Sequence, residues 1–376
     1  MKPVTRVGMI ATRCQPEIGG IESHVAEVAR RVAARGLELE VLTTDRSGKL
    51  PKVERLDGYL VRRFRAYPAG RDWYFSPGLF WAALRTRYDL VHVQGIHTLV
   101  PPLAMLAAVL RRTPFLLTFH TGGNSSAFRE KARRTQFRLL SPLLRRAHTL
   151  VGVSLYEARR FEEIMGLPEG AITVIRNGGS LPPVRAVVAP EPALVVSVGR
   201  LERYKGHHKA IEALPHLLET HPEARVEILG SGPYEAELEA LANELGVADR
   251  VSIRFVPPVD RAQMGEILAR AGVMTLLSDY EAHPVAVMEA LAAGRPAVVS
   301  RTSGLTELAE LGWAVGVDQH AGPAETARAI ARQLDDPLLP DPAGLPTWET
   351  CVAGVVDTYD SIVAARRGPT RISRTR

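Results

Sequence analysis

Two glutamates, Glu281 and Glu289, stand in the stretch SDYEAHPVAVMEALAAG (278–294). Pro284 suits the first position of a helix. That puts Glu281 in the loop before the helix and Glu289 inside it, among Val285, Val287, Met288, Leu291 and Ala292. An unpaired buried carboxylate costs on the order of several kcal/mol, so Glu289 needs a partner. Two partners are open. The paired hydroxyls of a ribose match the two carboxylate oxygens, and a cation such as Arg295 would make a structural bridge. The free N–H groups at the same helix start suit an anion, for which a diphosphate is apt.

Charge of the opposite sign stands in SVGRLERYKG (197–206), where Arg200 and Lys205 follow a strand pattern and lie between Gly199 and Gly206. An arginine fork and a lysine point charge at a strand end are what a departing diphosphate requires, although solvated loops carry such residues too. In QPEIGGIESHV (15–25), Gly19 and Gly20 open the first helix and admit close approach of a ligand, or simply make the turn. The pair is not a G-x-G-x-x-G, and only Asp45 offers itself as a ribose acid after the next strand, which disfavours a dehydrogenase. LLTFHTGGNSS (116–126) ends a further strand on His120, with Gly122 and Gly123 behind it. Such a histidine positions a sugar hydroxyl or packs as a neutral ring, and His92 and His97 share that ambiguity.

These residues need elements to hold them. The chain's 376 residues favour two domains, and 46% hydrophobic with 23% charged residues predicts a full core. A net charge of +6 and a pI near 9.5 suit phosphorylated ligands or an anionic membrane surface, but are too diffuse for nucleic acid. Cys14 and Cys351 form no disulfide framework or zinc pattern, so a reducing cytoplasm is expected. The N-terminal run reads as no signal peptide, and LVPPLAMLAAVL (99–110) is shorter than the roughly 18 residues of a spanning helix.

Strand-like runs at 6–11, 39–44, 60–66, 89–95, 114–120 and 149–154 alternate with helical patterns. The alternation restarts at 193–200, 224–232, 250–256, 272–278 and 296–300. Apolar runs separated by helices predict parallel strands buried on both faces. The fold class is therefore α/β, with two Rossmann-like doubly wound domains facing a central cleft. The predicted division is 1–180, 181–345 and a C-terminal segment 346–376, in which a helix returns to the N-terminal domain before a basic tail. Residues 179–192, with four prolines, read as the linker.

In order, Gly19-Gly20, His120, NGG (177–179), VGRLERYKG, LGSGP (229–233) and Glu281-x7-Glu289 followed by ALAAGRPAVVS resemble the family-4 retaining glycosyltransferases with the GT-B fold. The resemblance spans nearly the whole chain. It implies that Glu289 holds the nucleotide ribose, Glu281 the hydroxyls of the transferred sugar, and Arg200 and Lys205 the diphosphate. Gly19, Gly20 and the backbone of His283, Pro284 and Val285 would assist, and His120 would stand at the donor sugar or the acceptor. Backbone around Gly230, Gly232, Phe255 and Val256 would line the base pocket. It further implies a nucleotide-diphosphate-sugar donor (UDP- or GDP-linked), no metal and no other cofactor, and the chain has no D-x-D pair. Two departures stand out: Arg176-Asn177-Gly178-Gly179-Ser180 replaces the usual P-N-G-V-D, and Ala282-His283-Pro284 replaces Gly-Phe-Gly.

The expected acceptor is a small-molecule or lipid-linked hydroxyl. The segment 128–148 holds seven Arg/Lys against one Glu, with Phe137, Leu140 and Leu144 at helical spacing. It reads as a core stripe under a solvated basic face, the alternative being peripheral contact with the anionic inner face of a membrane. Tyr67, Trp73, Tyr74 and Phe75 stack on an acceptor or pack on the sheet. Competing readings are a sugar-nucleotide 2-epimerase, a sugar phosphorylase and a sugar-nucleotide-binding regulatory protein.

Overall fold

The computed structural model describes residues 5–17, 19–71, 73–121, 127–180, 189–257 and 260–367, and for 127–134 and 366–367 the backbone only. Gly122, Gly123, linker residues 181–188 and the tail from 368 lie outside the described residues.

The N-terminal half runs β1 (Arg6–Ala11), α1 (Gly20–Ala34), β2 (Glu38–Asp45), β3 (Val53–Leu56), β4 (Tyr59–Arg65), α2 (Pro77–Arg85) and β5 (Leu90–Gln94). It continues with α3 (Val100–Arg111), β6 (Phe115–Thr118), α4 (Ala127–Leu144), β7 (Thr149–Gly152), α5 (Leu155–Met165) and β8 (Thr173–Val174). The second half holds β9 (Leu194–Val198), α6 (His207–Leu218), β10 (Arg225–Leu229), α7 (Glu235–Glu244), β11 (Val251–Arg254), α8 (Arg261–Arg270) and β12 (Val273–Leu276). Then come α9 (Val285–Ala292), β13 (Ala297–Arg301), α10 (Ser303–Glu310), β14 (Val315–Asp318), α11 (Pro323–Asp335) and α12 (Trp348–Arg367).

The first sheet has the order β3-β4-β2-β1-β5-β6-β7-β8 and the second β11-β10-β9-β12-β13-β14. Every pairing is parallel except β3 with β4. The apolar runs of β1, β5 and β6 are buried end to end because helices cover both faces. In each domain the strand order reverses beside the first strand, and the loops at those carboxyl ends carry Gly19, His120, Arg200 and Glu281. In α4, Phe137 and Leu144 lie in the core with Leu140 packed against it, while Arg138, and Arg145 and Arg146 just past the helix, are exposed. Among the described residues no helix is long and apolar enough to cross a membrane.

Helix α12 belongs to the core of the N-terminal domain: Trp348, Val352, Val355 and Tyr359 pack with Val25, Val28 and Val32 of α1. The chain reaches its second domain between α12 and α9, at Gly178 and Gly179. A Cβ on Gly178 would lie 2.1 Å from the Trp348 nitrogen, and one on Gly179 2.1 Å from the Met288 carbonyl. Both neighbours are backbone, so nothing larger than hydrogen fits without moving a helix. Hydrogen bonds close the seam around this crossing. Asn177 Nδ2 donates to the His283 carbonyl (2.9 Å), which turns its Oδ1 toward His24 Nδ1 at 2.8 Å. His24 therefore carries its proton on Nδ1. On the far side, Glu307 of α10 takes both Nε and Nη2 of Arg176 on Oε1 (2.8 and 2.6 Å). Its Oε2 accepts the Leu155 and Tyr156 N–H groups at the start of α5 (2.7 and 3.2 Å).

Burial pushes the imidazoles near this seam and in the strand layers down, to about 4 at His24 and His207 and about 3 at His92 and His283. The folded pKa values lie below the ordinary 6.5, so the unfolded chain binds protons first as the pH falls. Their stability contribution is complete above about pH 6.5 and is lost toward pH 4. Burial raises the Glu289 carboxyl, which acts in the opposite sense, but four imidazoles outweigh it. Scanning calorimetry should show Tm falling steadily from pH 7 to pH 5, and a flat Tm over that range contradicts the burial of these rings. Gly179→Ala should cost about 2 kcal/mol or more through overpacking against backbone. A denaturation midpoint equal to wild type would show that α9 does not press on the linker.

Candidate active site

Lys205 ends a single 3-10 turn, Arg203–Lys205, between β9 and α6. Its Nζ lies 2.6 Å from Oε1 of Glu281, which stands in the loop between β12 and α9. The two side chains are 17% and 14% exposed, so the pair is sheltered yet reachable from solvent. Burial works against the charge of Lys205, but Glu281 and Tyr204 outweigh it and raise the pKa, keeping the ammonium charged. Ser278 Oγ approaches the same Oε1 at 2.9 Å, whereas Oε2 of Glu281 receives no hydrogen bond among the described residues. Tyr204 and Tyr280, each preceding one member of the pair in sequence, stack in parallel with centroids 4.6 Å apart. The Tyr204 ring also lies 5.3 Å from Lys205 Nζ.

Arg200 stands on the same loop as Lys205. Its Nη2 donates to Tyr204 Oη (2.8 Å) and its Nη1 pairs with Glu202 (2.8 Å), leaving the side chain 46% exposed. His207 fixes the loop from beneath, through Ser197 Oγ at 2.8 Å and the Arg200 carbonyl at 3.2 Å. Burial works against the Arg200 charge, but Tyr204 and Glu202, with a smaller contribution from Glu22 of α1, outweigh it and raise the pKa. Gly20, at the start of that helix, has open space where a side chain would stand, while a Cβ on Gly19 would strike Glu22 Oε2.

Several residues stand differently from the sequence expectation. Helix α9 starts at Val285, and Pro284 is its cap at ψ 115° rather than its first helical residue. Glu289 is buried at 5% exposure, and its partner is Arg261 at the start of α8, in close contact with Oε1. Arg295, the cation nearest in sequence, turns away to bond the Ala293 carbonyl. Arg261 also donates to the Ser180 carbonyl, and Glu289 Oε2 has no hydrogen-bonding partner among the described residues. The His283 ring is buried in the seam, 4% exposed with both nitrogens unpartnered among the described residues. Val285 packs into the core shared with α1 and α12.

Gly230 and Gly232 are glycines because a Cβ would meet the Gly199 and Leu201 carbonyls at 1.9 and 2.3 Å. They brace the Arg200 loop from β10. Val256 is core, and Phe255 is 49% exposed at the end of β11. His120 ends β6 half-buried, Nε2 on Gln94 Oε1 (2.7 Å) and its ring edge-on to His24 at 4.7 Å. Burial, then the neighbouring His24, His97 and His92, hold it well below the ordinary range, so it is neutral.

Tyr204, Tyr280, Ser278, His207 and Arg261 are the site residues that sequence reasoning missed. The two tyrosines adjoin Lys205 and Glu281, a signal the sequence did carry. Arg261 lies in another element 28 positions from Glu289 and left none. No three His, Cys, Asp or Glu side chains converge among the described residues to hold a metal.

The model of glycosyl transferases group 1 matches residues 185–344, and that of glycosyltransferase family 4 matches residues 18–180. A D-inositol 3-phosphate glycosyltransferase of Acidothermus cellulolyticus is 30% identical, over 96% of this chain and 91% of the relative. A glycogen synthase of Mycobacterium tuberculosis is 29% identical over 96% and 95%. Among solved structures, sucrose-phosphate synthase from Thermosynechococcus elongatus superposes with a TM-score of 0.76 at 21% identity, over 96% of this chain and all of that one. HepE of Anabaena, solved with UDP-glucose, gives 0.68 at 19% over 96% and 98%. With a 30%-identical relative matched over nearly its full length and a family model on each half, the chain belongs to the family-4 glycosyltransferases and carries their GT-B fold.

Proposed function

We propose that this glycosyltransferase moves a sugar from a UDP- or GDP-linked donor to a hydroxyl acceptor with retention at the anomeric carbon, and that its own cations carry the charge of the leaving diphosphate. The observation that carries the reading is the Lys205–Glu281 pair at 2.6 Å with half-exposed Arg200 on the adjoining turn. Arg200 and Lys205 face the two phosphates, and the first-turn N–H groups of α9 add their dipole. Glu281 Oε2 accepts a hydroxyl of the transferred sugar. Glu289 Oε2 accepts from the ribose, while Arg261 balances the charge on Oε1. This answers the desolvation problem that Glu289 poses: the arginine makes burial tolerable, and one oxygen is kept for the ligand.

The bond from the anomeric carbon to the β-phosphate oxygen breaks as the acceptor oxygen attaches on the same face. The acceptor proton passes to a phosphate oxygen of the leaving group, so no protein base is needed. Neutral His120, between Gln94 and His24, serves as a hydrogen-bonding wall for donor sugar or acceptor rather than as a charge. The acceptor, a small molecule or a lipid-linked alcohol, enters from the N-terminal domain. Buried free thiols at Cys14 and Cys351 suit a reducing compartment. UDP comes first among donors because the structural neighbour HepE was solved with UDP-glucose.

Arg200→Ala and Lys205→Ala should each lower turnover on the order of 100-fold, as loss of a preorganised charge stabiliser does. Nucleoside diphosphate release is the assay, after a thermal-shift screen of UDP-, GDP-, ADP- and dTDP-sugars selects the donor. Wild-type turnover in either variant contradicts the assignment.

A further inference from the structure

We propose that Ser303 is a positioning residue for Glu281, holding the backbone of the sugar-binding loop from the start of α10; the inference rests on the role of Glu281 given above. Glu281 has no helix or strand of its own. Its N–H donates to Ser303 Oγ at 2.7 Å, and its carbonyl accepts the Gly304 N–H at 2.9 Å. One position earlier, Thr302 Oγ1 donates to the Asp279 carbonyl at 2.7 Å. Three consecutive residues, Thr302, Ser303 and Gly304, thus clasp the segment 279–281. The approach is close: a Cβ on Gly304 would lie 1.9 Å from the Ala282 carbonyl. With its backbone tied on both sides, Glu281 presents Oε1 to Lys205 and Ser278 and keeps Oε2 without a protein partner among the described residues.

The conformation of Ser303 shows what the hydroxyl is for. Its φ is 43°, in the left-handed region that glycine occupies without cost. Among the described residues only two other non-glycine residues have positive φ. Asp57 makes the turn between β3 and β4, and Arg112 ends α3, both ordinary places for it. Ser303 stands at the beginning of a helix, where no such turn is required. Nor does its hydroxyl cap the helix: Thr302 occupies the cap position and makes no side-chain cap bond. Glycine would serve the backbone better, and the one thing serine adds there is an oxygen for the Glu281 N–H. Strain retained for a contact to a site residue is the signature of a positioning role.

Ser303→Gly and Ser303→Asn test it against wild type, by donor turnover and Tm. Glycine relieves the backbone but removes the acceptor, whereas asparagine tolerates the left-handed region and returns an acceptor oxygen. S303G should keep Tm at or above wild type while kcat falls about tenfold and donor KM stays within about threefold. S303N should recover most of the rate. An S303G kcat within about twofold of wild type overturns the proposal. So does a fall in Tm that accompanies the rate loss, or an S303N no faster than S303G. If wild type releases no nucleoside diphosphate from any sugar nucleotide, the donor reading fails instead. Amide exchange at Glu281, slow in wild type and fast in S303G, then tests the hydrogen bond by itself.

Discussion

A cation and a carboxylate drawn out of water on two neighbouring strand ends are the constraint around which the site is built. Lys205 and Glu281 are each largely covered, and at 2.6 Å each makes the burial of the other tolerable. Neither side chain is held by a long helix. The Lys205 turn is fixed by His207 beneath it and by Gly230 and Gly232, just after β10, which press on the Arg200 loop. The Glu281 loop is fixed by Ser278, Ser303 and Gly304. Tyr204 and Tyr280 stack across the gap and shield both. In the proposed reaction a departing diphosphate would compete with Glu281 for Lys205, and a sugar hydroxyl would take the carboxylate oxygen that Lys205 leaves open. The ion pair holds the two loops in register.

The second constraint is the seam between the domains, which is packed with groups that do not carry charge. His24, Asn177 and the His283 carbonyl form a neutral chain across it, and the rings stay uncharged because burial lowers their pKa. Among the described residues only Glu307 with Arg176 is an ion pair across the seam, and that carboxylate also satisfies two helix N–H groups. Gly178 and Gly179 let the chain pass between α12 and α9 with no side chain in the way. Asn177, just before the glycine pair, supplies a polar link across the seam through the His283 carbonyl.

Much of the fold was legible because parallel strands buried on both faces advertise themselves as apolar runs, and those at 6–11, 149–154 and 296–300 stand out clearly. The exposed edge strand β3 and the two-residue β8 were not, since a short strand with solvent on one face has no such run. At the site, residue types at strand ends pointed to Arg200, Lys205 and Glu281, because their chemistry is local to one loop. Partnerships between elements were invisible. Arg261 for Glu289 and Ser303 for Glu281 depend on which helix starts lie side by side, and the burial of the His283 ring depends on which elements close over it.

Glu281 is the residue whose role, beyond helping to bind, decides the mechanism. Wild type and Glu281→Gln, given the sugar nucleotide that stabilises the protein most, should be compared for donor affinity by titration calorimetry and for nucleoside diphosphate release. The prediction is a Kd within severalfold of wild type and turnover lowered on the order of 100-fold, since the lost charge matters most as the sugar departs. Equal turnover in the two proteins, or a wild type that binds the donor and never releases the diphosphate, would contradict it.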